Sequence, residues 1–480
     1  MRSLSVILPV LTFLIVLMGS SVRADSPEVE LGERLFKDPR FSYAGNFSCV
    51  SCHFSPDDRR GYADFEARTP IPRRLEDSHL PQLTLRNTTA LIELFWGEKA
   101  GVPNLLHSDG EFQTPEALVI AGMTGRNMGW LASEKNQALT KLAQVARLYP
   151  EIASSSEPTV TDDEAIQKVA SLITAYMRSL EFSKDEQGDF NGSPYDQFLK
   201  LNHLPEKPNP GEPSKLYGER LRLQIEGLER DGKLQWISQG PQGERMARHD
   251  QAFRFGAAEL EGLKIFYSTP PAAPARAHHS IGNCAGCHAP PAFTDFRFHN
   301  TGASQEEYDF THGQGSFLSL VIPEAAQRAR LTREELAPFA QIPDPSDPKK
   351  ADLGAWNQVP LFPNGPDLGH LFGQLFETLC NFIPTCTLSQ WRVYENEVLR
   401  ASVGAFKTPT LRNLGHSNPY LHTGNRARIE QAIQMYIPMG LMARQRRLRN
   451  ADPEMAGVII NARDIGPLSA FMRSLNEDYE

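Results

Sequence analysis

The sequence contains the five-residue pattern C-x-x-C-H twice, at residues 49–53 (CVSCH) and at residues 284–288 (CAGCH). At this spacing two thiols can add to the two vinyl groups of a haem, and the adjacent histidine then lies under the ring as a ligand to the iron. One such copy could be a zinc half-site or a redox-active dithiol. Two copies, each with its histidine, favour two covalently bound c-type haems. The predicted attachment and ligand residues are Cys49, Cys52, His53, Cys284, Cys287 and His288.

The first 24 residues have the features of a secretory signal peptide. Arg2 precedes an apolar run over residues 4–18, and small residues lead to an acceptable cleavage site after Ala24. An uncleaved membrane anchor is the alternative, although the run is short for a membrane span. No later stretch is long and apolar enough to span a bilayer. We therefore expect a mature chain without a membrane span, exported to the periplasm of a Gram-negative bacterium.

Composition limits the classes of function further. The 480 residues carry a formal net charge of -9, so the basic surface that nucleic-acid binding requires is not expected. Six cysteines are too few for a disulfide scaffold of this length. Outside the two motifs only Cys380 and Cys386 remain, and in an exported protein they predict a local disulfide, with two free thiols as the alternative.

Short patterns recur in the same order around the two motifs, which indicates a duplicated domain. The repeated patterns are G-x-x-aliphatic-Phe (32–36 and 262–266), TLRN (84–87 and 410–413), a glycine-containing turn (108–110 and 422–424) and A-aromatic-MRSL (175–180 and 470–475).

The fold is predicted to be mainly α, with two tandem cytochrome c-like domains that have long loops. A capping box at residues 161–164, followed by apolar residues at helical spacing, predicts one of the helices, and strand signals are sparse. Helices joined by long loops around a covalent haem are typical of cytochrome c domains. The predicted divisions are a signal peptide (1–24), an N-terminal domain (25–190), a Pro-rich and charged linker (191–254) and a C-terminal domain (255–480) with an insertion at about 306–399.

The order of the motifs resembles that of the bacterial di-haem cytochrome c peroxidase / MauG family, most closely in the C-terminal half. Besides the two C-x-x-C-H motifs, the segments that carry the resemblance are 31–36 (LGERLF), 293–295 (FTD), 298–302 (FHNTG), 406–413 (FKTPTLRN) and 419–424 (PYLHTG). The resemblance implies an N-terminal haem at which peroxide reacts and a low-spin C-terminal haem that transfers electrons.

The resemblance also implies a second axial ligand on the C-terminal haem. Typical peroxidases have Met at this position and MauG-like members have Tyr, and here the segment leads to Tyr436. Met435 and Met439 are the alternatives. A tyrosinate stabilises ferric iron more than a thioether does and so lowers the haem potential. His299 and His422 match positions close to the same haem.

A calcium ion between the domains is a further implication of the resemblance. The positions that correspond to its ligands are Asn87, Ser417 and Pro419, and oxygen ligands of this kind suit Ca²⁺. A plain turn without an ion is the alternative.

Three positions depart from the family pattern. Ser108 stands where typical members have a relay Trp, Leu118 stands in place of a Gln, and Asn127 in place of the Glu of the peroxide pocket. Peroxide cleavage needs a base that moves a proton between the two oxygens, and an amide cannot do this. Glu111 and Arg126, nearby in sequence, are therefore the candidate catalytic residues.

The sequence predicts an exported, peroxidase-like haem oxidoreductase whose usual acid/base residues are missing. Its substrates would be hydrogen peroxide and a small redox protein that donates electrons, such as a cytochrome c or a cupredoxin. A MauG-like oxidase would act instead on a protein or a small molecule. The departures at the peroxide pocket favour an alternative, a non-catalytic di-haem electron-transfer cytochrome with both irons six-coordinate.

Overall fold

The computed structural model describes most of the chain beyond the predicted signal peptide. The described residues are 26–53, 84–99, 101, 105–153, 160–238, 245–246, 249–271, 280–359, 370–380 and 393–477. The predicted signal peptide and the predicted Cys380–Cys386 disulfide lie outside the side chains that the structure describes.

Helices dominate the described residues, as the sequence predicts. The α-helices are α1 (Pro27–Phe36), α2 (Trp96–Lys99), α3 (Pro115–Met123), α4 (Lys135–Ala146), α5 (Pro150–Ala153), α6 (Asp162–Ser179), α7 (Pro194–Leu201), α8 (Ser214–Arg230), α9 (Ala257–Tyr267), α10 (Ala303–His312), α11 (Ala325–Arg328), α12 (Arg333–Leu336), α13 (His370–Cys380), α14 (Glu395–Ala401), α15 (Ile429–Arg444) and α16 (Ile465–Arg473). None of these helices is long and apolar enough to cross a membrane.

Short strands form two antiparallel pairs within the described residues. They are β1 (Arg245–Met246), paired with β2 (His249–Ala252), and β3 (Phe298–His299), paired with β4 (Phe406–Lys407). The second pair joins two of the segments that carry the family resemblance, because β3 follows the second C-x-x-C-H motif and β4 begins the FKTPTLRN segment.

The first core surrounds α1 and α6. Helix α6 begins at the predicted capping box, where the Thr161 side chain accepts a hydrogen bond from the backbone N–H of Glu164. Helix α1 approaches α6 at Gly32, where an added Cβ would lie only 2.1 Å from the carbonyl oxygen of Leu172. Phe36 follows on α1 and contacts Tyr176 of α6, with their ring centroids 5.2 Å apart. The repeated glycine-containing pattern therefore marks a close approach of two helices.

The second core is built in the same way from α9 and α16. Its centre is a cluster of fully buried aromatic rings. Phe266 and Phe471 have their ring centroids 5.1 Å apart, and Phe293, which follows the second motif, lies 5.8 Å from Phe266. The second C-x-x-C-H motif is therefore anchored directly to the packed interior of the C-terminal half.

The range predicted as a linker contains two packed helices. Helices α7 and α8 occupy much of it, and Phe198, Tyr217 and Leu221 are buried in the second core. The Pro-rich stretch at 205–210 is only the loop between these two helices. The physical reason is the apolar stripe along α8, which must be buried for the helix to be stable in water.

The predicted insertion supplies most of a further hydrophobic core, to which Leu105 and Phe298 from outside the insertion also belong. The fully buried Trp356 lies at its centre, with the Arg328 guanidinium 4.7 Å from the ring centroid. Asp352 of this unit accepts two hydrogen bonds of 2.7 Å from Arg86 of the N-terminal half. The insertion thus contributes a buried carboxylate to the junction between the two halves.

Candidate haem sites

Both C-x-x-C-H motifs form the same local backbone. Each begins with a 3₁₀ turn, over Cys49–Ser51 and Cys284–Gly286. In each, the N–H of the histidine donates to the carbonyl of the first cysteine at 2.8 Å, from His53 to Cys49 and from His288 to Cys284. The structure therefore brings the two cysteines and the histidine of each motif together in one turn.

The two motif histidines are suited to binding iron. Nδ1 of His288 lies 3.1 Å from the carbonyl oxygen of Phe293, so an N–H at Nδ1 leaves the Nε2 lone pair available for a metal. Burial lowers the pKa of His288 and lowers that of His53 to about 4. Both imidazoles are therefore neutral at physiological pH, which is the form that ligates metals.

A cavity of about 360 Å³ opens beside the second motif. Cys284, Cys287 and His288 contribute to its wall. Much of the remaining wall consists of apolar side chains from α15, α16 and the loop between them, including Ile429, Ile433, Val458, Leu468 and Met472. A largely apolar cavity with a few convergent polar groups fits a covalently attached haem.

Tyr436 lines the same cavity as the second motif. It lies on α15 and is partly buried, and burial raises the pKa of its phenol above the usual value. Met435 and Met439, the two alternatives, are instead buried in a methionine-rich cluster with Met442 and Met455. Of the three candidates on α15, Tyr436 is the residue that faces the cavity of His288.

His299 and His422 also line this cavity. The two ring nitrogens of His299 lie 2.8 Å from Asp295 and 2.7 Å from Asp452. Burial opposes a charge on His299, but the neighbouring acidic groups raise its pKa well above the usual value. The ring of His422 stacks on Phe406 with a centroid distance of 4.0 Å. The two carboxylates therefore hold the His299 ring in place at the wall of the cavity.

A different set of side chains surrounds the first motif. Met128 and the buried Trp130 pack together, with Cys49 against them. The indole Nε1 of Trp130 is buried and has no hydrogen-bond partner among the described residues, so it is a donor available to a bound group. Asn127 is exposed, while Arg126 is partly buried and burial lowers its pKa. The segment where the family has its Glu therefore lies beside Cys49.

Glu111 lies in a different environment from Arg126. Its side chain is half-exposed, and Oε2 lies 3.0 Å from Nδ1 of His107.

Leu118 is partly buried against the first core. The carbonyl of Ser108 accepts a 2.7 Å hydrogen bond from the backbone N–H of Lys407. The position of the missing relay Trp therefore contacts the C-terminal half through its backbone.

Lys407 lies at this site, and the sequence analysis did not single it out as a site residue. It lines the cavity, its Nζ donates to the carbonyl of Leu105 at 2.7 Å, and burial lowers its pKa to about 7. Lysine in a strand ordinarily faces solvent, so the residue type alone carries no signal of this burial.

The residues of the predicted calcium site are partly assembled. Nδ2 of Asn87 donates to the carbonyl of Pro419 at 2.6 Å, and the Asn87 backbone N–H donates to the carbonyl of His422 at 2.7 Å. Oδ1 of Asn87 is buried without a hydrogen-bond partner among the described residues. The Ser417 hydroxyl donates to the carbonyl of Leu414 at 3.5 Å. The orphaned amide oxygen is a group that a cation could satisfy.

Comparison with known proteins finds one matching family profile and several similar solved structures. Residues 26–203 match the profile of the di-haem cytochrome c peroxidase family. The diheme peroxidase BthA from Burkholderia thailandensis E264 is a similar solved structure, with 16% identity and a TM-score of 0.50 over 95% of this chain and 87% of that one. A MauG-like protein associated with microbial copper homeostasis aligns with 17% identity and a TM-score of 0.44, over 94% of this chain and 90% of that one. The search of curated proteins gives no match. The resemblance of this chain to the di-haem cytochrome c peroxidase / MauG family, which its motif order predicts, is confirmed.

Proposed function

We propose that this chain is a periplasmic di-haem oxidoreductase with two covalently attached haems c. The observation that carries the proposal is that Tyr436 faces the apolar cavity of Cys284, Cys287 and His288. A tyrosine at this place is the ligand that the MauG-like resemblance implies. The bound haems would supply the redox chemistry, which for a peroxidase is the reduction of one hydrogen peroxide by two electrons and two protons to two molecules of water.

In this proposal the residues of the chain hold and tune the two cofactors. His53 and His288 would each hold one iron, and Tyr436 would be a second ligand to the iron held by His288. An anionic oxygen ligand stabilises the ferric state and lowers the potential of that haem. The electrons would come from a small redox protein, such as a cytochrome c or a cupredoxin, or from a protein substrate as in a MauG-like oxidase.

Arg126 is proposed to act at the peroxide site. It is partly buried in the turn whose Met128 packs in the same cluster as Cys49, and a cation there can stabilise negative charge that develops on a peroxide oxygen. The role of Glu111 in moving the proton stays a prediction. Turnover of a Glu111→Gln variant with peroxide tests it, and unchanged turnover would exclude this role.

The function can be tested on the mature protein after both haems have been attached. Two haems per chain should resist extraction by acid acetone, because thioether bonds survive that treatment. The EPR spectrum of the resting ferric protein should contain a high-spin signal from one accessible iron. The protein should also consume peroxide with a reduced cytochrome c as electron donor. Two low-spin signals that neither cyanide nor peroxide alters would favour the non-catalytic electron carrier, the alternative that the exposed Asn127 supports.

We further propose a calcium ion held by Asn87 and by the carbonyl oxygens of Ser417 and Pro419. The orphaned Oδ1 of Asn87 supports it, and rotating the amide would turn this oxygen toward the carbonyl of Pro419. A chelator should lower the melting temperature of the wild-type chain and leave that of Asn87→Ala unchanged. An equal effect of the chelator on both proteins would refute this site.

A further inference from the structure

A short loop near the junction of the two halves presents three potential metal ligands. Leu106 and Phe112 pair as an antiparallel bridge that closes the loop over residues 107–111. Alternate positions of this loop carry His107, Asp109 and Glu111. One ligand atom from each of the three lies within 4.8 Å of the other two.

The loop backbone holds this arrangement in place. His107 has a φ of 64° and Gly110 a φ of 79°, both in the left-handed region that tight turns require. The His107 ring packs edge-on against Phe112 with a centroid distance of 4.9 Å. A residue other than Gly is uncommon at such a φ. The contact with the Phe112 ring shows that the His107 side chain is held by its surroundings.

Asp109 is the residue that indicates a missing partner. It is only 3% exposed, and its Oδ2 lies 2.7 Å from Arg86 and 3.0 Å from Gln358. Its Oδ1 is buried and has no hydrogen-bond partner among the described residues. A buried carboxylate oxygen without a partner carries a substantial desolvation cost, which a bound cation would offset.

The charges around the loop also favour a cation. Arg86 is the nearest cationic partner of Asp109, but it already makes two hydrogen bonds of 2.7 Å to Asp352. One guanidinium therefore faces two buried carboxylates, and the Glu111 carboxylate adds a third negative charge. The excess of negative charge matches a divalent ion.

We propose that His107, Asp109 and Glu111 bind a divalent transition-metal cation. One imidazole nitrogen with two carboxylate oxygens is a ligand set for ions such as Mn²⁺ or Zn²⁺, and it has no soft sulfur ligand. The ion would replace the hydrogen bond between His107 and Glu111 and would satisfy Oδ1 of Asp109. A Glu111 carboxylate bound to the ion would not be the proton carrier that the sequence predicts, so the site is an alternative to that role. The site is separate from the proposed calcium site, which uses none of these three side chains.

The test is a titration of the haem-loaded mature protein with Mn²⁺ alone, in excess Ca²⁺ so that a calcium site is already filled. Loss of the free Mn²⁺ EPR signal at room temperature measures binding. We expect the wild type to bind one equivalent of Mn²⁺. His107→Gln and Glu111→Gln should each weaken the affinity for this ion by about tenfold or more. Zn²⁺ should displace this equivalent, since it binds such ligands more tightly than Mn²⁺ does.

Glu116→Gln is the matched control, because Glu116 is a nearby carboxylate outside the cluster, and it should bind like the wild type. His107 and Glu111 are half-exposed, so their variants are expected to fold, and circular dichroism and haem absorbance check this. The proposal is overturned if the wild type shows no saturable binding, or if the His107→Gln/Glu111→Gln double variant keeps the same equivalent. Neither result depends on peroxide turnover.

Discussion

The backbone of Gly262 lies against the carbonyl of Pro467 so closely that an added Cβ would be 2.0 Å from the oxygen. Gly32 has the same relationship to Leu172, at 2.1 Å. In both halves the helix before the C-x-x-C-H motif therefore crosses the closing helix at a glycine. This packing explains the glycine of the repeated pattern G-x-x-aliphatic-Phe, because no larger residue fits at the crossing.

Replacing Gly262 by Ala should lower the free energy of unfolding by about 2–3 kcal/mol, because the added methyl group must push two helix backbones apart. Urea denaturation measures the change. Gly466→Ala is the matched control on α16, since an added Cβ there meets no atom within 4 Å. Helix propensity predicts that the control is neutral or more stable by up to about 1 kcal/mol. Equal stability of the two variants would contradict the crossing.

Arg412→Met should destabilise the chain by about 3–5 kcal/mol, because it leaves the buried carboxylate of Asp196 without its partner. The guanidinium makes hydrogen bonds of 3.0 and 2.8 Å to the two carboxylate oxygens, and the side chains are 1% and 4% exposed. Adding Asp196→Asn should recover part of the loss. The exposed Arg428→Met is the control and should change stability by less than about 0.5 kcal/mol. A small effect of Arg412→Met would mean that water reaches the pair.

Asp38→Asn should destabilise the folded chain at neutral pH by about 1–3 kcal/mol, because it removes charge-assisted hydrogen bonds. Asp38 accepts hydrogen bonds from Arg40, the shortest of 2.6 Å, and one of 2.7 Å from the Tyr149 hydroxyl. Burial alone would raise the pKa of Asp38, but these donors lower it below the usual value.

The sign of the pH dependence follows from this lowered pKa. The stabilisation is fully present above the unfolded pKa of about 3.9 and is lost as the pH falls through the lower folded pKa. The difference between wild type and Asp38→Asn should therefore shrink below about pH 4, which urea denaturation at several pH values measures. A difference that stays constant from pH 7 to pH 3 would contradict the lowered pKa.

Tyr436→Phe should change the ligation of one iron, converting one low-spin EPR signal to high-spin and raising that haem's potential. Met439→Leu is the matched control on the same helix, since Met439 is buried in the methionine-rich cluster, and it should leave the signal and the potential unchanged. The reverse result, with a change only in Met439→Leu, would assign the ligand to the methionine.

The candidate haem sites could be predicted from sequence because their chemistry is local. Two cysteines and a histidine within five residues predict covalent attachment and the first ligand without reference to the rest of the chain. The capping box at Thr161 and Glu164 was equally predictable, since both partners lie within one turn. The resemblance predicted Tyr436, with Met435 and Met439 as alternatives, and only the structure shows which of the three lines the cavity, because this depends on the orientation of α15.

The predicted linker shows where the reading of composition was insufficient. Proline and charge led to the prediction of a linker, but Tyr217, Leu221 and Ile225 recur every fourth residue and form the buried stripe of α8. This helical periodicity was present in the sequence and outweighs the composition of the loop beside it. Burial of that stripe in the second core is what makes the segment helical.

By itself the sequence determined two C-x-x-C-H motifs and a helical chain with an internal repeat, while the helix crossings at Gly32 and Gly262 came from the structure. The motifs and the helices depend on residues within a few turns of one another, and the repeat can be found by comparing the two halves of the chain directly. Only the tertiary structure decided which distant groups share one environment. Asp352 lies 266 residues beyond Arg86, and Gln358 lies 249 beyond Asp109, yet all four meet at one junction. The identity of a polar residue does not indicate its partner. The pairing depends on which distant segments the fold brings together in a place from which water is excluded.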